Sequence, residues 1–238
     1  MKAAIMQPTY LPWIGYFSLI NQVDYFIFLD NVQFEKRSWQ QRNRIKTKNG
    51  LMWLTVPVDV KNKFFQKIYE ASISDINFYE THLKTIYYNY AKSNNFNEIY
   101  LILNEVYLKK HKSLSELNIE LIKTISQFIG IKANFIKASE LNINEKRSKL
   151  LSSICECLNV NVYVSPLGSK DYLVEEKDEF LNKKIMIEFQ NYEHPEYNQL
   201  FPPFISYASV IDLMFNEGKN SIEIIKKGEK KNFSIFEL

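Results

Sequence analysis

Glycine is scarce in this chain of 238 residues, with six scattered copies. Neither G-x-G-x-x-G nor G-x-x-x-x-G-K-[ST] occurs, so neither a dinucleotide fingerprint nor a P-loop is supported. Cysteine is scarcer still. Cys155 and Cys157 stand one residue apart, which suits neither a C-x-x-C redox pair nor a zinc site and disfavours a mutual disulfide. A reducing, cytoplasmic setting is therefore expected, with Cys155 as a small core residue. The three histidines, His82, His111 and His194, make no metal-ligand spacing, so no metal is expected, and no other cofactor. No apolar run approaches the ~20 residues of a membrane span. The run before Gln7 is too short for a signal peptide. With 30 basic and 27 acidic residues the net charge is +3, too balanced to imply nucleic-acid binding or membrane insertion.

What is abundant is apolar and aromatic: 46% hydrophobic residues, with 15 tyrosines and 17 phenylalanines. Such a chain has the composition of a globular protein and the length to bury a sizeable core. Lys2–Met6 reads as a buried first strand. Two prolines, Pro8 and Pro12, stop it, and Pro12 is placed to open a short helix through Ile20. Tyr25–Leu29 is apolar on both faces, the pattern of an interior strand covered by helices. Ser38–Lys48 and Leu51–Val58 read as a hairpin around Lys48-Asn49-Gly50, with a third short strand at Lys67–Ile73. Three helices follow at Phe78–Lys92, Phe96–Lys109 and Ser113–Phe128, the last opened by the capping pattern Ser113-Leu-Ser-Glu116 and closed by Gly130. Strands at Asn134–Lys137, Asn161–Val164 and Lys184–Phe189 alternate with helices to the end. The sum is one α/β domain over 1–238, a mostly parallel sheet with a β-hairpin and a helical insert at about 78–128.

Function is expected in residues 6–44. Only four of the 30 basic residues are arginines, and Arg37, Arg42 and Arg44 lie within eight positions. Arginine's planar fork binds phosphate or carboxylate bidentately, which lysine does not imitate. Arg42 and Arg44 would share one strand face, with Gln33, Gln40 and Asn43 nearby, and a nucleotide or nucleotide sugar suits such a set. A charged, solvated edge strand accounts for the same residues. Gln7, Tyr10 and Trp13 lie in the turn after the first strand, and Asp30 ends the second. In an open α/β sheet the ligand crevice forms at those strand ends. His194, in a polar loop after a later strand, is the acid–base candidate; His82 and His111 read as structural or exposed. Ser169 and Asp171 stand where a helix start could hold phosphate, although an ordinary N-cap explains Ser169 equally. Asp212 lies in an apolar helix and requires a partner, an arginine among the candidates.

MQPTYLPWIGYF, VDYFIFLDNVQFEKRSWQQRNRIK, NGLMWLTVPV, YVSPLGSKDYL and YNQLFPPFISYASVIDLMFNEG together resemble the WbqC-like proteins over nearly the whole chain. That family is encoded among surface-polysaccharide (O-antigen) biosynthesis genes. The later segment departs from its leaner pattern, but Ser209 and Asp212 keep the Ser-x-x-Asp spacing. The resemblance implies a role in surface-glycan assembly and transfers no catalytic residue. With the residues above, the expectation is an enzyme acting on a nucleotide-linked amino sugar by N-acyl or aminoacyl transfer from a carrier protein or CoA, or else a non-catalytic binding or scaffold protein of the same pathway. In this reading Arg37, Arg42 and Arg44 hold phosphates, Gln7, Tyr10 and Asp30 line the reacting end, and His194 takes the amine proton. A fragment-level similarity to pantothenate synthetase implies a Rossmann-like, nucleotidyltransferase-like fold. The positions of that enzyme's two catalytic histidines carry Trp13 and Tyr16 here, which implies altered chemistry.

Overall fold

The computed structural model describes residues 1–237. In chain order the elements are β1 (Lys2–Met6), α1 (Ile14–Asn21), β2 (Tyr25–Phe28), β3 (Arg42–Thr47), β4 (Gly50–Thr55), α2 (Phe78–Tyr90), α3 (Phe96–Leu108), α4 (Leu114–Phe128) and β5 (Asn134–Lys137). They continue with α5 (Arg147–Cys157), β6 (Val162–Pro166), α6 (Lys170–Glu175), α7 (Asp178–Leu181), β7 (Met186–Gln190), α8 (Val210–Glu217), α9 (Ser221–Lys227) and β8 (Phe233–Ser234).

Six strands form one sheet in the order β5-β2-β1-β6-β7-β8. All neighbours are parallel except the short closing strand β8. The chain moves outward from β1 through β2 to β5, then crosses back to lay β6 on the other side of β1. The winding direction therefore reverses between β1 and β6, and a Rossmann-like sheet opens its ligand crevice at the C-terminal ends of such a pair. Strand periodicity divides the core in two. Ala4, Phe26, Phe28 and Val164 face a layer holding α1, the hairpin, α2–α4 and α8. Ala3, Ile5, Ile27, Tyr163 and Ile187 face α5 and the α6–α7 segment. Burial on both faces explains why these strands read as continuous apolar runs.

Three local expectations change. The hairpin's first strand begins at Arg42, because Ser38–Gln41 forms a turn in which the Gln41 side chain accepts from Arg37 N–H. Lys67–Ile73 is no strand. It holds a 3-10 turn at Ile68–Glu70 between isolated bridges to Gln33, Val58 and Ser113. Helix α1 starts at Ile14, since Pro12 and Trp13 are engaged elsewhere: Pro12 C=O accepts from Val210 N–H, and Trp13 bridges Ser209.

The helical insert grips the loops that follow β1 and β2. The Asn118 amide donates to the carbonyls of Pro8 (3.0 Å) and Gln40 (2.8 Å). Tyr10 is fully buried, its hydroxyl 2.7 Å from His82 Nδ1 and hydrogen-bonded to the Tyr107 hydroxyl. His82 is thus a core histidine, and burial lowers its pKa to about 4 against an opposing hydrogen bond to Thr55 C=O. His111 is not exposed but bound to Glu120, which also takes Lys109.

A lowered histidine pKa means that the unfolded chain binds a proton the folded one refuses. His82's contribution is complete above about pH 6.5 and is lost as pH falls toward about 4, amounting to about 2 kcal/mol between pH 6.5 and 5. Urea denaturation across that window should show stability falling with pH. His82→Gln should flatten most of the slope, leaving the share of His194, which burial also lowers.

Candidate functional site

Two cavities meet at the C-terminal edge of the sheet. One, of about 340 Å³, lies over the switch point, floored by Ile5, Met6 and Leu29 and walled by Gln7, Glu35, Ser38, Gln40, Tyr163 and Ser169. The other, of about 300 Å³, is aromatic, lined by Trp13, Tyr16, Trp39 and Tyr207 with Asn43 and Arg44. Met6, Thr9 and Trp39 line both, so they are two chambers of one cleft. Trp39 stands between them, its carbonyl anchored by Tyr10 N–H at 3.0 Å.

The hairpin register places Arg44 opposite Trp53. The Arg44 guanidinium lies 5.4 Å from the Trp53 ring and 5.6 Å from the Trp39 ring, and Arg42 stacks 4.2 Å over Trp53. Both Nε atoms are buried without a hydrogen-bond partner. Among the described residues, Arg147 has a carboxylate partner, Glu176, whereas Arg37, Arg42 and Arg44 have none. Two cations therefore rest on indole faces with no anion to neutralise them. Stacking holds such a charge without consuming the outward N–H donors.

Of the other expected residues, Gln40 is buried; its Nε2 donates to Gln7 Oε1 (2.9 Å) and its Oε1 accepts from Glu35 N–H (3.0 Å). Asn43 lines the aromatic chamber while its amide donates to the carbonyls of Tyr10 and Leu11. Trp13 lines that chamber, its indole over Gly15, where any Cβ would collide with the ring at 2.2 Å. Ser169 lines the switch-point chamber, whereas Asp171 is exposed outside it. Gln33 is exposed and bonds Phe64 C=O, and Arg37 is exposed on a turn with φ of 58°. Tyr10, sealed in the core, is out of a ligand's reach.

The three residues expected to catalyse do not share a chamber. Asp30 is buried and both its oxygens accept from Ser139, N–H at 2.9 Å and hydroxyl at 2.7 Å. Gln7 is in the switch-point chamber. His194 stacks behind Trp13 (6.1 Å, 16°) and edge-on to Tyr207 (5.1 Å), behind the aromatic wall. Its Nδ1–H donates to Pro195 C=O at 2.9 Å, which leaves Nε2 as a lone-pair acceptor, buried and unpartnered. Burial holds this imidazole below its ordinary pKa, so it is neutral at pH 7.

Sequence reasoning missed Trp39, Trp53, Tyr207 and Glu35. Trp53 could be found from the Asn49-Gly50 turn, which sets the register opposite Arg44. Tyr207 arrives from a distant loop with no local signal.

Asp212 holds that distant loop. Its carboxylate, at the base of α8, accepts from the hydroxyls of Tyr90 and Tyr197 (2.8 Å each) and from Gln199 Nε2 (2.9 Å). Tyrosines thus partner it, not an arginine, and burial raises its pKa against those bonds and nearby Lys46. Asp212→Ala would strand three donors in a largely dry site. The expected cost is about 3 kcal/mol or more, read as a lowered urea midpoint.

The chain matches the WbqC-like protein family over residues 7–224. It is 35% identical over 227 residues to the uncharacterized protein Rv1507c of Mycobacterium tuberculosis, covering 94% of this chain and 97% of that protein. No solved structure matches it significantly. The match takes in the hairpin, the helical insert and the loop that carries Tyr207, and of the cleft lining only Ile5 and Met6 lie outside it: this chain belongs to the WbqC-like protein family.

Proposed function

We propose that this protein is an enzyme of surface-glycan assembly that binds a nucleotide-linked amino sugar in the two-chambered cleft and transfers an acyl or aminoacyl group to the sugar amine. One observation carries the binding half: Arg44 lines a cavity at the C-terminal edge of the sheet and lies over Trp39 and Trp53, with Arg42 next to it over Trp53, and neither has a carboxylate partner. Phosphate oxygens satisfy the free guanidinium donors, and an aromatic chamber suits a nucleobase. The glycan setting is the expectation attached to the family resemblance.

In the transfer, the uncharged amine attacks the acyl carbonyl. The C–N bond forms as the bond to the donor's carrier breaks, and His194 Nε2 accepts the amine proton. A neutral imidazole with its Nδ1–H held by Pro195 has the right tautomer for this. The role requires Tyr207, half exposed at the chamber wall, to swing aside. A second reading, a non-catalytic nucleotide-sugar-binding protein of the same pathway, is favoured by the saturation of Asp30 and by the closure of His194 behind Trp13.

Isothermal titration with nucleotide sugars tests the binding. Arg44→Lys and Arg42→Lys should each weaken affinity roughly tenfold, since a bidentate charge-assisted contact is lost while the charge stays. Thermal stability should change little. Unchanged affinity in both variants would leave the arginines as a solvated strand face. Product formation from purified protein, nucleotide amino sugar and acyl donors separates enzyme from binder. His194→Gln should abolish turnover and leave sugar binding intact.

A further inference from the structure

The two chambers carry opposite charge. In the aromatic chamber the ionic side chain is Arg44; in the switch-point chamber it is Glu35. The rest of the switch-point lining is neutral, with amides and hydroxyls from Gln7, Ser38, Gln40 and Ser169 over an apolar floor. Glu35 is exposed, and among the described residues its carboxylate has no cationic partner. Its peptide is nevertheless fixed. The N–H donates to Gln40 Oε1 at 3.0 Å and the carbonyl accepts from Ser38 Oγ at 2.7 Å. Glu35 thus lines, from an anchored backbone, a chamber that shares Met6, Thr9 and Trp39 with the site of Arg44.

We infer that Glu35 is the specificity residue for the amine of the bound sugar. The inference rests on the reading that Arg44 takes a phosphate; it puts the amine in the switch-point chamber, away from His194, and so goes with the binding reading and not with proton transfer to His194. Because Trp39 lines both chambers, a sugar phosphate with its phosphate at Arg44 would extend past it into the switch-point chamber. There a carboxylate distinguishes –NH3⁺ from –OH. It gains a charge-assisted hydrogen bond from the ammonium and only an ordinary one from a hydroxyl. The neutral amides and hydroxyls around it suit the remaining sugar hydroxyls without attracting an anion. An arrangement with a cation at one end and an anion at the other selects a ligand that is itself bipolar, which a neutral hexose phosphate is not.

The test uses glucosamine 1-phosphate and glucose 1-phosphate, which carry no base and so do not depend on which nucleotide the protein prefers. Ligand-observed NMR titration of the full chain should give glucosamine 1-phosphate roughly tenfold tighter binding. Glu35→Gln should erase that preference while leaving glucose 1-phosphate unchanged, and it spares both backbone hydrogen bonds that anchor residue 35. Arg44→Lys should weaken both ligands alike. Equal affinity for the two sugars, or a preference that survives Glu35→Gln, overturns the assignment of Glu35 while the phosphate reading stands. Binding of either sugar that is indifferent to Arg44→Lys, or no binding of either, overturns the phosphate reading and this inference with it.

Discussion

Backbone carbonyls buried in a turn must find donors, and in this fold the turn after β1 finds them on four separate elements. Two prolines prevent residues 7–12 from pairing as a strand. Their carbonyls point inward and are satisfied one by one: Gln7 by the Tyr16 hydroxyl, Pro8 by Asn118, Tyr10 and Leu11 by Asn43, and Pro12 by Val210 N–H. Each missing bond would leave a buried polar group at a cost of about 1–3 kcal/mol. The turn is thereby fastened to α1, the hairpin, α4 and α8 at once. Those attachments fix where the two chambers can open.

The same turn carries backbone strain. Leu11 has a φ of 43°, a left-handed value costly for a branched side chain. Arg37 and Tyr207, in the other two loops around the cleft, also lie in that region at 58° and 60°. Non-glycine residues persist there only where surrounding contacts over-determine them, and such residues cluster at functional sites. Here the contacts are the hydrogen bonds of the turn, the Gln41 side chain on Arg37 N–H, and the Asp212 network beneath the loop of Tyr207.

Burial sets the protonation states around the cleft. His82 is held neutral among Tyr10, Tyr107 and Phe78, and His194 is held neutral against Trp13 and Tyr207. One locks the insert to the turn; the other faces the chamber wall with an unpaired Nε2. The physical difference is whether Nδ1 meets a side-chain hydroxyl, as in His82, or a carbonyl that frees the second nitrogen, as in His194.

Local chemistry made much of this legible. Continuous apolar runs, the mark of strands covered on both faces, pointed to the parallel strands, a helical stripe bounded by Ser113 and Gly130 pointed to α4, and Asn49-Gly50 pointed to the hairpin. The rarity of arginine singled out Arg42 and Arg44 before any fold was known. Other features have no local signature. Nothing near Tyr10 says that its hydroxyl is consumed by His82, and nothing near Asp30 names Ser139, more than a hundred residues away. Sequence alone therefore determined the layers of the sheet and the composition of the candidate site, because propensity and periodicity act between near neighbours. Tertiary structure alone decided which polar groups face the cleft and which are spent on the core, because a buried donor or acceptor is satisfied by whatever the fold brings within about 3 Å.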